Sequence, residues 1–230
     1  MNGREFSAEA TDEYRKLIAL MFEKNTSVEQ YRAAMFELGQ GLAALVSDRL
    51  PLSSSKLDVC LACTVEDADF LANGLLDSLE KSRPDLSLKL ACFWNRESID
   101  PQGFEDCDIA PVIKTYKEEP LAKDCVIVIV KSIISGACVV ATNITHLVSD
   151  LDPTKIFVVT PIMLTDSADR LRKHFSEELM KRFTFISFAT ETETDRSISV
   201  YQHYGWKDSS DKNKITPEIV RMRRKKLALV

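Results

Sequence analysis

The stretch that decides the fold is residues 125–146, CVIVIVKSIISGACVVATNITH. Its first six residues are apolar and mostly β-branched, which predicts a strand that is buried on both faces, as in a parallel sheet. A loop with Ser135 and Gly136 follows, and we predict that a helix begins at Gly136 and covers residues 136–149. A buried strand, a short loop and a helix in direct succession are typical of α/β proteins.

The same alternation surrounds this stretch. Apolar runs predict further strands, and amphipathic segments predict helices between them. The strands are at 57–63, 86–94, 109–114, 155–161 and 183–189, and the helices at 67–81 and 167–182. Two helices precede them, one at 11–25 and one that follows Ser27, where Gln30 completes the spacing of a capping box. We predict an α/β fold with a doubly wound, mainly parallel sheet, which binds ligands at the carboxyl ends of its strands.

Length and composition indicate an ordinary globular protein. The chain has 230 residues, of which 45% are hydrophobic and 28% charged, and a net charge of −5, which gives no global reason to expect nucleic-acid binding. We predict one globular domain with an N-terminal helical layer (1–56), an α/β core (57–190) and a C-terminal arm (191–230). Without a signal-peptide core or an apolar run of about 18 residues, we expect a cytoplasmic protein with no membrane contact.

Two of the six cysteines have the spacing of a redox or zinc half-site. These are Cys60 and Cys63, but no second pair of cysteines or histidines follows them, and both lie inside a predicted strand. We therefore expect buried thiols in a reducing compartment and no metal site.

The loop after the strand at 125–130 is a candidate phosphate site. Backbone N–H groups at the start of a helix can hold a phosphate, and a lysine or a serine hydroxyl can add a hydrogen bond. Lys131 is either such an anchor or a solvated lysine at a strand end. The candidate phosphate-binding residues are Lys131, Ser132, Ser135, Gly136, Ala137 and Cys138.

From about Leu57 to Phe188, the order of segments resembles the type I phosphoribosyltransferase family, with uracil phosphoribosyltransferases closest in layout. The strand at 57–63 matches the family's first strand, 94–97 its Arg-acid segment, and 116–120 its Tyr-x-x-x-Pro approach. Residues 135–138 fall where the family's loop for the ribose 5′-phosphate belongs. The resemblance implies this fold, transfer from phosphoribosyl pyrophosphate, and Mg²⁺ as the cofactor of an active enzyme. It also implies a pyrophosphate loop at Thr64, Glu66 and Asp67, and base or metal contacts from Arg96, Tyr204, Trp206 and Asp208.

Two departures from the family put that chemistry in doubt. Val130 and Lys131 stand where the family has the carboxylates that hold the ribose hydroxyls, and neither side chain can accept a hydrogen bond. Glu66, Asp67 and Asp69 would repel a pyrophosphate unless metal ions neutralised them. We therefore expect a pseudoenzyme that binds a nucleotide or sugar phosphate as a regulatory or effector component. Diverged relatives in bacterial accessory and antiphage gene sets imply a multi-protein system, with a protein partner or a homodimer.

Two other functions stay open. An active glycosyltransferase, or an enzyme that cleaves glycosyl bonds, would have a rearranged site in which Glu66, Asp67 and Asp69 converge on Ser135 and Lys131. A nucleic-acid-binding protein would use the basic cluster of a C-terminal helix that starts near Thr216, although such a run is more often a solvated face. Likewise, Tyr204 and Trp206 either stack on a base or pack the arm against the sheet. The cluster consists of Arg221, Arg223, Arg224, Lys225 and Lys226.

Overall fold

A computed structural model describes residues 3–51, 56–96, 110–192 and 213–228 of the chain. Its strands are β1 (Glu5–Phe6), β2 (Leu57–Thr64), β3 (Leu86–Asn95), β4 (Val112–Lys117), β5 (Val126–Val130), β6 (Ile133–Ile134), β7 (Lys155–Leu164) and β8 (Phe183–Glu191). Its helices are α1 (Asp12–Leu20), α2 (Val28–Ser47), α3 (Asn73–Ser82), α4 (Cys138–Val148), α5 (Ser167–Arg172), α6 (Glu177–Met180) and α7 (Glu218–Leu227). A π-helical turn, Ala68–Ala72, precedes α3. None of the helices described is long and apolar enough to span a bilayer.

The strands form one mainly parallel sheet in the order β1-β8-β7-β5-β2-β3-β4, with β6 beside β7. All pairs are parallel except β1 with β8 and β3 with β4, which lie at the two edges. From the centre, the chain proceeds outward from β2 to β3 on one side and from β5 through β7 to β8 on the other. The strand order therefore reverses between β2 and β5, and the predicted doubly wound α/β sheet is confirmed.

Helices cover both faces of the sheet. Val126, Val128 and Val130 of β5 join a core with α1, α2, α3 and α7, whereas Ile127 and Ile129 join a second core with α4 and α5. Successive residues of a strand point to opposite faces, so the apolar run of β5 is buried on both sides, as its sequence predicts. The capping box at Ser27 and Gln30 is also present, with both reciprocal hydrogen bonds.

The structure corrects several predicted element boundaries. Helix α4 begins at Cys138 rather than Gly136, because Ile133 and Ile134 extend the sheet as β6 before the chain turns. The helix predicted at 167–182 is two short helices, since Ser176 caps a new one with a hydrogen bond from the Leu179 amide. The strand predicted at 109–114 is β4, shifted towards the C-terminus and antiparallel to β3. The helix predicted from 67 begins with the π-helical turn.

The cysteine spacing does not build a half-site. Cys60 and Cys63 lie three residues apart on β2, so their side chains point to opposite faces, and each belongs to a different core. Burial raises the pKa of the Cys60 thiol, and a hydrogen bond with Cys92 together with burial raises the pKa of Cys63. Both thiols are therefore protonated and poor metal ligands or nucleophiles.

Candidate functional site

The candidate site lies where the strand order reverses. β2 ends at Thr64 and β5 ends at Val130, and the two strands are parallel neighbours with Cys63 paired to Val130. Their carboxyl ends therefore open at the same edge of the sheet, which is where doubly wound sheets bind ligands. The two segments that depart from the phosphoribosyltransferase pattern, 64–69 and 130–131, meet at this point.

An ion pair joins these two segments. Nζ of Lys131 lies 2.9 Å from Oδ2 of Asp67, and Oδ2 also accepts a hydrogen bond of 2.8 Å from the hydroxyl of Thr64. The other carboxylate oxygen, Oδ1, accepts a hydrogen bond of 3.1 Å from the backbone N–H of Ser132. The Asp67 side chain is 0% exposed and that of Lys131 is 21% exposed. The carboxylate therefore binds groups of its own protein with both oxygens.

The electrostatics of this pair keep the lysine charged. Burial of the ammonium group opposes its charge, but the neighbouring carboxylates of Asp67 and Glu66 outweigh burial and raise the pKa of Lys131. Lys131 is thus not the solvated strand-end lysine that was one of its two interpretations. In this state its charge is committed to Asp67, so a phosphate would have to compete with that carboxylate.

A narrow crevice lies beside the ion pair, between the ends of β2 and β5 and the first turn of α4. It contains about 210 Å³ of empty space, no part of which is wide enough for a water molecule. Thr64, Lys131, Val140 and Asn143 are among its lining residues. The described residues at the switch point therefore form a closed site, which would have to widen to admit a ligand.

The candidate phosphate loop, residues 135–138, connects β6 to the start of α4. Ser135 is exposed, and a Cβ atom added to Gly136 would meet nothing within 4 Å. Ala137 occupies the N-cap position of α4 and provides no side-chain hydrogen bond to the helix. Ser132, in contrast, is buried, and its N–H is bonded to Asp67. The segment 135–138 thus presents an open loop and an uncapped helix start, whereas Ser132 belongs to the ion-pair network.

The carboxylates of the first loop point in different directions. Asp67 faces β5, but Asp69 accepts hydrogen bonds of 3.0 Å and 2.9 Å from the backbone N–H groups of Glu218 and Ile219. Asp69 therefore caps α7, whose own N-cap residue, Pro217, has no side-chain bond to the helix. The expected convergence of Glu66, Asp67 and Asp69 on Ser135 and Lys131 is found only in part. Asp67 is bonded to Lys131 and the charge of Glu66 acts on the same ammonium group, whereas Asp69 is bonded to α7.

The basic cluster at the C-terminus is divided by the structure. Arg223 is largely buried and forms hydrogen bonds of 2.6 Å and 3.0 Å to the carboxylate of Glu118, 2.8 Å to Glu80 and 2.9 Å to the carbonyl of Leu88. Burial opposes the charge of Glu118, but Arg223 outweighs it and lowers the pKa of this carboxyl group. Arg223 is therefore an interior residue that attaches α7 to the sheet, and it is not available to nucleic acid.

The rest of the cluster lies on the surface. Arg221 pairs with Glu218 on the same helix, and Arg224 lies over the ring of Tyr116 at 5.2 Å. Burial, followed by the hydrogen bond to Glu118, raises the pKa of Tyr116 to about 12. Lys225 and Lys226 are exposed. Four of the five basic residues are therefore exposed, and Arg223 is the exception.

Among the base and metal candidates, Arg96 is exposed just after β3, and its N–H donates to the carbonyl of Pro111. Tyr204, Trp206 and Asp208 lie outside the described residues. Within the described ranges, no three His, Cys, Asp or Glu side chains form a group able to hold a metal ion. The described residues of this switch point do not fit Mg²⁺, because both oxygens of Asp67 accept hydrogen bonds from protein donors, one of them the ammonium group of Lys131, and Asp69 caps α7.

A pair of buried asparagines near the site was not predicted from the sequence. Asn95, at the end of β3, and Asn143, on α4, exchange side-chain hydrogen bonds of 2.8 Å and 3.2 Å, and both residues are buried. Asn95 also donates to the carbonyl of Ala110. The two amides fix α4 against the end of β3. Two isolated asparagines 48 positions apart carry no spacing signal that predicts this contact.

Comparisons with known proteins found matches among solved structures at low sequence identity. No protein-family model matches the chain, and no curated protein is significantly similar to it. A hypoxanthine phosphoribosyltransferase from Staphylococcus aureus is similar in structure, with a TM-score of 0.40 and 17% identity over 63% of this chain and 75% of that one. One from Trypanosoma cruzi, complexed with the product IMP, has a TM-score of 0.43 and 12% identity over 74% of this chain and 83% of that one. A hypothetical protein from Neisseria gonorrhoeae with bound ppGpp has a TM-score of 0.38 and 11% identity over 74% of this chain and 89% of that one. With TM-scores and identities this low, the likeness assigns no activity to this chain.

Proposed function

We propose that this chain is a diverged phosphoribosyltransferase-type protein that binds a nucleotide or sugar phosphate without transferring its phosphoribosyl group. The observation that carries the proposal is the Asp67–Lys131 ion pair at the switch point of the sheet. Phosphoribosyl transfer needs carboxylates at this place that are free to hold ribose and metal. Here the carboxylate is bonded to groups of the protein itself. In this respect the site is that of a binding, regulatory or effector component.

The phosphate-binding part of the proposal rests on the loop that follows β5. The uncapped N-terminus of α4, which is 11 residues long, attracts negative charge through its dipole and its first N–H groups. Ser135 is exposed, a Cβ added to Gly136 would meet open space, and the positively charged Lys131 lies at the start of the loop. A helix terminus, a hydroxyl and a cation at one strand end are the chemistry that recognises a phosphate.

The alternative of an active enzyme with a rearranged acidic site receives no comparable support. Its metal or ribose ligands were to be Glu66, Asp67 and Asp69, but Asp67 is bonded to Lys131 and Asp69 to α7. Catalysis through these groups would first require both contacts to break. Nucleic-acid binding through α7 is weakened in the same way, because its central arginine, Arg223, is bound by Glu118 and Glu80.

The binding proposal is tested by a charge placed in the loop. Gly136→Asp puts a carboxylate where a Cβ meets open space, so the fold should tolerate it, while it repels an incoming phosphate. We expect ribose 5-phosphate and nucleoside monophosphates to bind the wild-type protein in calorimetric titrations. We expect Gly136→Asp to weaken this binding at least about tenfold, the equivalent of one lost charge-assisted hydrogen bond.

Gly136→Ala is the matched control, because it adds the same Cβ without the charge, and it should bind the ligands like the wild type. Equal binding by all three proteins would mean that the loop is not the site. An absence of binding to the wild type would contradict the proposal itself.

A further inference from the structure

The π-helical turn between β2 and α3 links two contacts of the protein that are otherwise far apart. The N–H of Ala72 donates to the carbonyl of Asp67, five residues earlier, at 2.9 Å, which is the hydrogen bond that defines a π-helix. The side chain of Asp67 holds Lys131, and that of Asp69 caps α7. A single irregular turn therefore supplies one carboxylate to the ligand loop and another to the C-terminal helix.

Both contacts depend on the extra residue that the turn contains. In an α-helix the carbonyl of Asp67 would instead accept from the N–H of Leu71, and the preceding residues would rotate by about 100° relative to α3. Asp67 would then turn away from Lys131, and Asp69 would turn away from the first N–H groups of α7. A change of register thus breaks both contacts together.

The surroundings of the turn show what holds the π register. On one side α2 touches it closely, since a Cβ added to Gly39 would lie 2.2 Å from the carbonyl oxygen of Leu71. On the other side lies α7, whose Ile219 and Val220 are buried in the same core. α7 is attached at two points, by Asp69 at its start and by the Arg223–Glu118 pair at its middle. A π turn has poorer geometry than an α turn, so it persists because such neighbours stabilise it.

We propose that this turn is a two-position switch that couples the phosphate site to the docking of α7. In the π register, Asp67 holds Lys131 and Asp69 holds α7, so the lysine is withheld from ligands and the crevice is closed. In the α register, Lys131 is free to bind a phosphate and α7 loses its cap. By linkage, a ligand that takes Lys131 loosens α7, and whatever draws α7 away strengthens ligand binding. This inference rests on the proposed function.

Removal of the α7 cap tests the coupling from one side. Asp69→Ala deletes both acceptors of the Glu218 and Ile219 N–H groups, and we expect it to raise the affinity for ribose 5-phosphate about fivefold or more, a typical size for coupling between sites. Asp77→Ala is the matched control, since it removes a carboxylate of the adjoining helix α3 whose ion pair within the described ranges is with exposed Lys81. Its affinity should equal that of the wild type.

Hydrogen exchange in the wild-type protein tests the coupling from the other side, without any substitution. Saturating ribose 5-phosphate should speed the exchange of the Glu218 and Ile219 amides several-fold, whereas a purely structural cap would keep its exchange rate or slow down. Two results would overturn the switch and leave the proposed function standing, provided that ribose 5-phosphate binds the wild type. One is unchanged exchange of these amides, and the other is equal affinity of Asp69→Ala and Asp77→Ala for ribose 5-phosphate. An absence of ribose 5-phosphate binding in both the wild type and Asp69→Ala would overturn both.

Discussion

Lys131 and Asp67 lie 64 positions apart in the sequence and form one buried ion pair. Each residue is anomalous by itself in a phosphoribosyltransferase layout: one is a cation where a carboxylate belongs, the other a carboxylate where a small turn belongs. Together they compensate, because the carboxylate that would repel a phosphate at the first loop is neutralised by the lysine at the end of β5. The sequence shows opposite charges just after two apolar strands, but only the structure shows that these strands are neighbours in the sheet.

A second buried pair makes a stability prediction at the scale of single residues. Arg223→Met leaves Glu118, 2% exposed, with its main positive partner removed, and an unpaired buried charge costs about 3–5 kcal/mol. We expect urea unfolding to show a loss of that order in the free energy of unfolding.

Arg221→Met supplies the comparison on the same helix. Its partner is Glu218, and both side chains are more than half exposed, so the loss should stay within about 0.5 kcal/mol. If the two variants unfolded at the same urea concentration, Arg223 would not be the interior anchor that its four hydrogen bonds indicate.

Among the elements, those with strong local patterns were predictable and those that depend on distant partners were not. The run Val126–Val130 specifies a two-sided buried strand, and Ser27 with Gln30 specifies a helix start. The π-helical turn could not be predicted, because the residues that stabilise it belong to α2 and α7. The direction of β4 could not be predicted either, since an edge strand pairs on one side and its sequence fits both directions.

The contact between α2 and the π-helical turn allows a prediction at this scale. Alanine normally favours a helix over glycine by about 1 kcal/mol. At Gly39, however, the added Cβ would lie 2.2 Å from the Leu71 carbonyl oxygen and 2.9 Å from the Leu75 nitrogen, both backbone atoms. We expect Gly39→Ala to lower the free energy of unfolding by about 1–3 kcal/mol, measured by thermal or urea unfolding.

Gly136→Ala is again the control, because its Cβ meets open space and its stability should change by less than about 0.5 kcal/mol. A Gly39→Ala protein as stable as the wild type would mean that α2 can move away from the turn without cost. The close packing proposed to hold the π register would then be absent.

At the scale of the whole molecule, hydrogen bonds from the first loop connect the switch point of the sheet to the start of β6 and to the C-terminal helix. The sequence predicted the α/β sheet, since it follows from alternating apolar runs and from the order of strands and helices, whereas the ligand site at its switch point stays a prediction. It did not predict that α7 is tied back to the first loop, because the contact joins residues about 150 positions apart. The terminal helix is therefore bonded to the first loop and is not an independent basic tail.

The most direct test of the central claim is pyrophosphate release from phosphoribosyl pyrophosphate. It is measured with Mg²⁺ and each of the common nucleobases, at phosphoribosyl pyrophosphate concentrations that saturate the loop. Because the ribose clamp is replaced by Val130 and Lys131 and the first-loop carboxylate is bonded to the lysine, we predict release no faster than in the protein-free mixture. Steady pyrophosphate release that Gly136→Asp abolishes would contradict the account, because transfer would then proceed at this loop.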